Sequence, residues 1–236
     1  MSPHIEIAVQ DAAGARIAVA AGATRLELCQ ALALGGLTPS LGLLDAACAA
    51  VDPALLAVLV RPRGGGFVYD ADEVAVVSAD IRACVSRGVG GVVVGALDRS
   101  GGVDREVIRR WAGEAAGTPV VFHRAIDVLD PLPALDVLIE EGVTRVLTSG
   151  GEAVAADGLD TLSALVERAA GRIQIMAGGG VRPVDIPEIV ATGVDAVHLS
   201  ARRTAGGEHP SGPGGGATGH DVTDAAVVRT AVAAAV

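Results

Sequence analysis

The chain has 236 residues, half of them hydrophobic and only 2% aromatic, and carries a formal net charge of -10. That length suits one large α/β domain or two small ones, and the negative charge argues against a nucleic-acid partner, because phosphate binding needs a basic footprint. All 18 basic residues are arginines, and lysine and asparagine are absent, which excludes a side-chain Schiff base, a lysine anchor for pyridoxal phosphate and a lysine general base.

Cys29, Cys48 and Cys84 are odd in number and widely spaced. No signal-peptide pattern opens the chain, so a reducing cytoplasm without a disulfide framework is expected. No apolar run reaches the roughly 18 residues a membrane span needs.

Taken in order, Ile5 to Val9 reads as a strand. Helical spacing follows from Asp11 to Ala21, with Asp11 as N-cap and Gly22 as the stop. Arg25 to Cys29 is the second strand, and Gly35-Gly36-Leu37-Thr38-Pro39-Ser40 leads into a helix over Leu41 to Ala50. Leu55 to Val60 is the third strand, closed by Arg61-Pro62-Arg63-Gly64-Gly65-Gly66, and a helix runs from Ala71 to Arg87. Gly91 to Leu97 is a strand and Asp104 to Ala116 a helix. The fifth strand begins as the β-branched run Val120-Val121 and is expected to continue to Asp127, before a helix from Pro131 to Gly142. Arg145 to Thr148, Arg172 to Met176 and Ala196 to Leu199 are the last three strands. Helices over 159–170, 184–192 and 223–235 follow them in turn.

Eight strand-then-helix units in this length predict one (β/α)8 barrel of TIM type spanning 1–236, with Gly206 to Gly219 as a flexible Gly/Pro-rich surface loop. An open doubly wound sheet shares the alternation. The barrel is favoured because polar residues end nearly all eight strands rather than clustering at one switch point.

The candidate site follows from those strand ends. In an extended fifth strand, His123, Ala125 and Asp127 share one face and Arg124 takes the other. His123 and Asp127 would then converge as an acid–base pair. Glu6 and Glu27 interrupt apolar strands, where an isolated carboxylate is costly. Arg61 and Arg63 are their expected partners, in a structural ion-pair network or around a general acid or base. His198, in phase with Ser200 and Arg202, is a pocket lining or a catalyst. The loops carrying Ser149, Gly150, Gly178, Gly179 and Gly180, with Ser200 and Arg202, read as an anion site, with simple tight turning as the competing explanation. No metal-spacing motif is present. Cys29 is in phase with Glu27 and could face the cavity.

Several segments together resemble the CutC family of copper homeostasis proteins. They are Ile5-Glu6-Ile7, Arg25-Leu26-Glu27-Leu28-Cys29, Gly35 through Ser40, Arg61-Pro62-Arg63-Gly64-Gly65, Phe122-His123-Arg124-Ala125, Leu147-Thr148-Ser149-Gly150, Gly178-Gly179-Gly180 and His198 through Arg202. They run through almost the whole chain in one order. The resemblance implies a (β/α)8 barrel, a cytoplasmic location, a homodimer and copper as a ligand, with Cys29 as the metal residue. Some members carry a second cysteine where this chain has Ala8, and one thiolate alone is a poor Cu(I) site. The resemblance also implies an aromatic residue where Ile126 stands; the following Asp127 is retained. Two readings remain open here: a copper-binding protein, or a lysine-independent acid–base enzyme on a small anionic, phosphorylated or sugar-like substrate.

Overall fold

The computed structural model describes residues 2–207, 212 and 218–236. Eight parallel strands lie in sequence order and close on themselves, β1 pairing with both β2 and β8. They are β1 (His4–Val9), β2 (Arg25–Leu28), β3 (Leu56–Leu59), β4 (Gly91–Val94), β5 (Val120–Phe122), β6 (Arg145–Thr148), β7 (Gln174–Gly178) and β8 (Ala196–Leu199). Around them run α1 (Ala12–Ala20), α2 (Leu41–Ala50), α3 (Ala71–Val85), α4 (Arg105–Glu114), α5 (Pro131–Glu140), α6 (Leu159–Ala169), α7 (Ile186–Ala191) and α8 (Ala225–Ala234). This is the (β/α)8 barrel expected from the sequence.

Strand alternation divides the core in two. Ile5, Ile7, Val9, Leu26, Leu28, Val92 and Val94 belong to the large cluster beneath the helices. Ala57, Leu59, Val93, Val121, Leu147, Met176, Ala196 and Cys29 form a second cluster inside the ring. The helices start where short polar side chains can take up free backbone donors. Asp11 accepts from Gly14, Ser40 from Leu43 and Asp104 from Val107, while Asp70 and Glu73 form a reciprocal capping box.

Three expectations need correction. The fifth strand ends at Phe122, because the chain turns into a 3-10 helix over Arg124–Val128 capped by the His123 side chain. Alternation therefore stops before Asp127. The seventh strand lies two residues further on than expected, which makes Gly178 a strand residue. Its Cα packs so closely that an added Cβ would sit 2.6 Å from Leu147 and 3.1 Å from His198. Finally, β9 (Arg202–Gly206) and β10 (Gly219–Thr223) form an antiparallel pair that the sequence reading treats as loop and helix start. Of the loop expected over 206–219, residues 208–211 and 213–217 lie outside the described residues. Among the described residues, no helix is long and apolar enough to cross a membrane.

Glycines show where the packing is closed and where it is open. A Cβ at Gly90 would lie 2.0 Å from the Ala54 carbonyl oxygen, whereas one at Gly42 in α2 meets nothing within 4 Å. Gly90→Ala should cost about 1–3 kcal/mol by forcing backbone apart. Gly42→Ala should gain about 0.5 kcal/mol by replacing a glycine in the first turn of α2. Urea unfolding of the two variants against wild type measures both signs.

Candidate functional site

The ends of β1, β2, β3, β5, β6, β7 and β8 surround a cavity of about 420 Å³ at the C-terminal mouth of the barrel. Glu27, Arg61, His123, Arg124, His198, Gly179, Gly180, Ser200 and Arg202 line it, with Ala8, Leu59 and Phe67 among its apolar walls. Glu6 lies deeper and is fully buried.

The buried carboxylates do not pair with Arg61 and Arg63. Glu6 Oε1 is 2.9 Å from His198 Nδ1, and its Oε2 is 3.7 Å from Arg145. Arg145 and Arg25 both donate to Gln174 Oε1, at 3.0 and 3.2 Å, which builds a polar floor inside the barrel. β1 and β8 set this up: Glu6 and His198 are register partners on adjacent strands and both point inward. Arg63 instead grips Glu73, which caps α3, and Arg61 donates to the carbonyls of Leu34, Gly36 and Gly65. The Arg61 Nε and the Tyr69 hydroxyl are buried near one another without a well-formed hydrogen bond.

These partners set the charges. Burial works to raise the Glu6 carboxyl, but the His198 hydrogen bond and charge, with Arg145 and Arg25, bring it below its ordinary value. Burial likewise opposes a charged His198, but the carboxylates of Glu27 and Glu6 raise it. The contact therefore favours the charged forms of both partners against the burial that opposes them. Glu27 has no such compensation: burial, with Glu6 adding to it, pushes its carboxyl up to about 7 against the pull of His198. Glu6, Glu27 and His198 each offer a ligand atom, all within 4.8 Å of one another.

His123 is buried and neutral. Burial and the Arg61 charge lower its imidazole to about 3. Its Nδ1 accepts the Ala125 backbone N–H at 3.1 Å, so the proton sits on Nε2, which has no partner.

Asp127 does not join His123. Its carboxylate accepts from the Thr148 hydroxyl at 2.5 Å, the Ser149 amide and hydroxyl, and Arg124 Nε at 2.7 Å. The Ser149–Gly150 loop thus holds an anion, but that anion is the chain's own. Gly179 and Gly180, at φ +118 and +62, do reach the cavity, and an added Cβ on Gly179 would meet the Arg124 guanidinium at 2.8 Å. Gly178 is spent on packing. Arg202 is tied to Asp221 across the β9–β10 pair, leaving its guanidinium at the cavity's edge.

Sequence reasoning missed Arg124 and Phe67. Arg124 and Asp127 are three apart and form an ion pair across one helical turn, a spacing that would have suggested a turn rather than a strand. Phe67 packs its ring 4.9 Å from that of His123 and 5.2 Å from the Arg61 guanidinium; only its rarity in a chain with two phenylalanines marked it. Cys29 does not line the cavity. It is enclosed in the interior cluster near Gly36 and Leu59, and burial pushes its thiol up.

In the folded chain Glu27 holds its proton between pH 4.5 and about 7, where the unfolded chain has lost it, so stability falls as pH rises through that window. Urea unfolding at about pH 8 should find Glu27→Gln more stable than wild type by up to about 3 kcal/mol, with the gap closing toward acid pH. A variant less stable than wild type at every pH would mean that Glu27 is a structural ion.

Comparison with known proteins places this site in a family. Residues 3–203 match the CutC family. A CutC family protein of Caulobacter vibrioides is 46% identical over 205 residues, covering 85% of this chain and 83% of its own length. One from Xylella fastidiosa is 44% identical over 241 residues, covering 98% and 88%. The crystal structure of CutC from Streptococcus agalactiae is 33% identical with a TM-score of 0.77, covering 85% of this chain and 99% of that one. A solved aldolase at 15% identity and a TM-score of 0.64 shares the fold alone. The chain belongs to the CutC family.

Proposed function

We propose that the barrel mouth is an acid–base site for a small anionic molecule, with Glu27 as the group that takes and returns a proton. The observation that carries this is the position of Glu27. It is a buried carboxyl on the cavity wall, held near pH 7 by burial, beside a histidine that Glu6 fixes and charges. A general acid–base group works best when its pKa lies near the operating pH. Two carboxylates whose surroundings push their pKa values apart mark such a site. His198 keeps its charge in the Glu6 pair and positions Glu27 electrostatically.

The anionic character of the ligand is supported by Arg61. Arg124 has Asp127 and Arg202 has Asp221. Arg61, buried, has only carbonyl partners among the described residues. A buried cation without a counter-ion is costly, and an anionic substrate would complete it. The Gly179–Gly180 backbone and Ser200 offer further room for such a group on the far wall. With no lysine in the chain, Schiff-base chemistry is closed to it.

Copper enters through the family: the Streptococcus agalactiae relative is named for copper homeostasis. A cuprous ion does not fit the residues present. Cu(I) selects soft sulfur ligands, yet Cys29 stands apart with a thiol that burial keeps protonated. The cluster that does converge is two carboxylates and an imidazole, and its closest pair is already bonded to itself. A cytoplasmic setting suits three free cysteines.

Carbon-13 NMR titration of the glutamate side chains should give Glu27 a midpoint of about 7; a midpoint at the ordinary glutamate value would remove it as the proton carrier. In anaerobic Cu(I) titration against a competing chelator, Cys29→Ser should bind as wild type does. A marked loss in the variant would return Cys29 to the metal reading.

A further inference from the structure

Two cavity-lining residues carry a buried polar atom without a hydrogen-bond partner, Arg61 at Nε and His123 at Nε2. His123 lines the cavity, its Nε2 is buried without a hydrogen-bond partner, and Nδ1 of the same ring is fixed by the Ala125 amide. A buried donor left without an acceptor is an expensive feature. The ring is also deliberately placed. It lies against Gly95, where an added Cβ would sit 2.3 Å from Cε1, and the Phe67 ring packs 4.9 Å away, centroid to centroid. The Nδ1 contact fixes the tautomer, so Nε2 can only donate. Glu27 stands on β2 and His123 follows β5, three strands around an eight-strand ring, so the two approach the cavity from opposing walls.

We infer that His123 Nε2–H donates to the carbonyl oxygen of the substrate, and that the reaction is proton abstraction from the carbon beside that carbonyl. This rests on the proposal that Glu27 moves the proton and adds the substrate class: a small anionic carbonyl compound with a hydrogen on the α-carbon. The Glu27 carboxylate takes the α-proton. The C–H electron pair becomes the carbon–carbon double bond of an enolate, and the carbonyl π pair moves onto oxygen. His123 Nε2–H and the nearby Arg61 charge stabilise that oxygen. Glu27, now protonated, returns the proton to the same carbon; in an α-hydroxy carbonyl compound the hydroxyl proton instead passes within the enediolate to the enolate oxygen, and Glu27 then protonates the neighbouring carbon. The first outcome is exchange or epimerisation and the second is isomerisation; neither needs an oxidant, a metal or a second substrate. A neutral imidazole suits this role, because it donates a hydrogen bond without handing over its proton.

The test uses the full chain with histidines labelled with nitrogen-15. Oxalate, a planar mimic of an enolate, is titrated in, and the expected result is a saturable shift of the His123 Nε2–H resonance. Binding that leaves this resonance unmoved, or no binding, overturns the inference. Proton-to-deuterium exchange in heavy water is then followed for dihydroxyacetone phosphate and for unphosphorylated dihydroxyacetone. Exchange should occur at the α-carbon, be faster with the phosphate ester, and fall about 10²–10³-fold in His123→Ala, the usual loss on removing one oxyanion donor. Should His123→Ala fail to fold, Gly95→Ala, which displaces the ring, is expected to lose exchange while Glu27 still titrates near neutrality. Exchange lost in Glu27→Gln but intact in both other variants sinks the role of His123 and leaves Glu27 as the proton carrier. Failure of the Glu27 titration itself sinks the underlying proposal instead.

Discussion

The interior of this barrel depends on the contact between Glu6 and His198. A carboxylate with no solvent exposure is among the most expensive groups a protein can bury. Glu6 survives there because β1 and β8 are register neighbours that bring an imidazole to 2.9 Å on one side, while Arg145 approaches from the floor. That arrangement consumes the nearby cations. Glu27, one strand over, feels the charge of the same histidine but takes no hydrogen bond from it. Two inward glutamates of adjacent strands, Glu27 one inward position nearer the mouth than Glu6, thereby become an ion-pair anchor and a carboxyl poised near neutrality. The difference comes from how the positive charge is shared, since the residue type is the same.

Space at the mouth has an equally simple cause. The inward positions level with Glu27 and beyond carry small residues, Ala8 on β1 and the glycines beyond β4 and β7. A chain rich in alanine and glycine cannot fill a barrel top as larger branched residues would. The cavity is what remains. Its few bulky members are placed by that emptiness: the His123 ring lies where Gly95 has no side chain, and the Arg124 guanidinium lies across Gly179.

Period-2 alternation made the fold legible, together with the helix caps, since each strand's outward apolar face and each Asp or Ser before a helix is a local signal. The same logic placed Glu6, Glu27, Arg61, His123 and His198 at the interior or mouth. It broke down wherever the strand had already ended. Asp127 was assigned to the face of His123 because nothing in Phe122-His123-Arg124 announces a 3-10 turn; the deciding interaction is His123 Nδ1 accepting the Ala125 amide, a side-chain choice that composition does not reveal. The Glu6 and Glu27 partners were misassigned for a different reason. Arg61 and Arg145 both follow the inward phase, and only barrel closure, which sets β1 beside β8, decides which charge meets which. The β9–β10 pair was hidden because its strands are short, polar and largely exposed, without the apolar face that betrays the others.

The distribution of arginines carries the functional argument furthest. Asp127 is held by Thr148, Ser149 and Arg124, so the loop after β6, which looked like an anion cradle, is already satisfied by the protein itself. Arg202 is similarly compensated by Asp221. Arg61 alone among the cavity arginines is buried against carbonyl dipoles with no carboxylate in reach among the described residues. Carbonyls orient a guanidinium but do not neutralise it. The Arg61 guanidinium and the His123 ring both pack against Phe67, so what the fold leaves incomplete is concentrated on one wall. Opposite that wall stands the carboxyl most ready to accept a proton. An empty cavity arranged for structural reasons alone would be expected to pair its charges internally, as the floor of this barrel does.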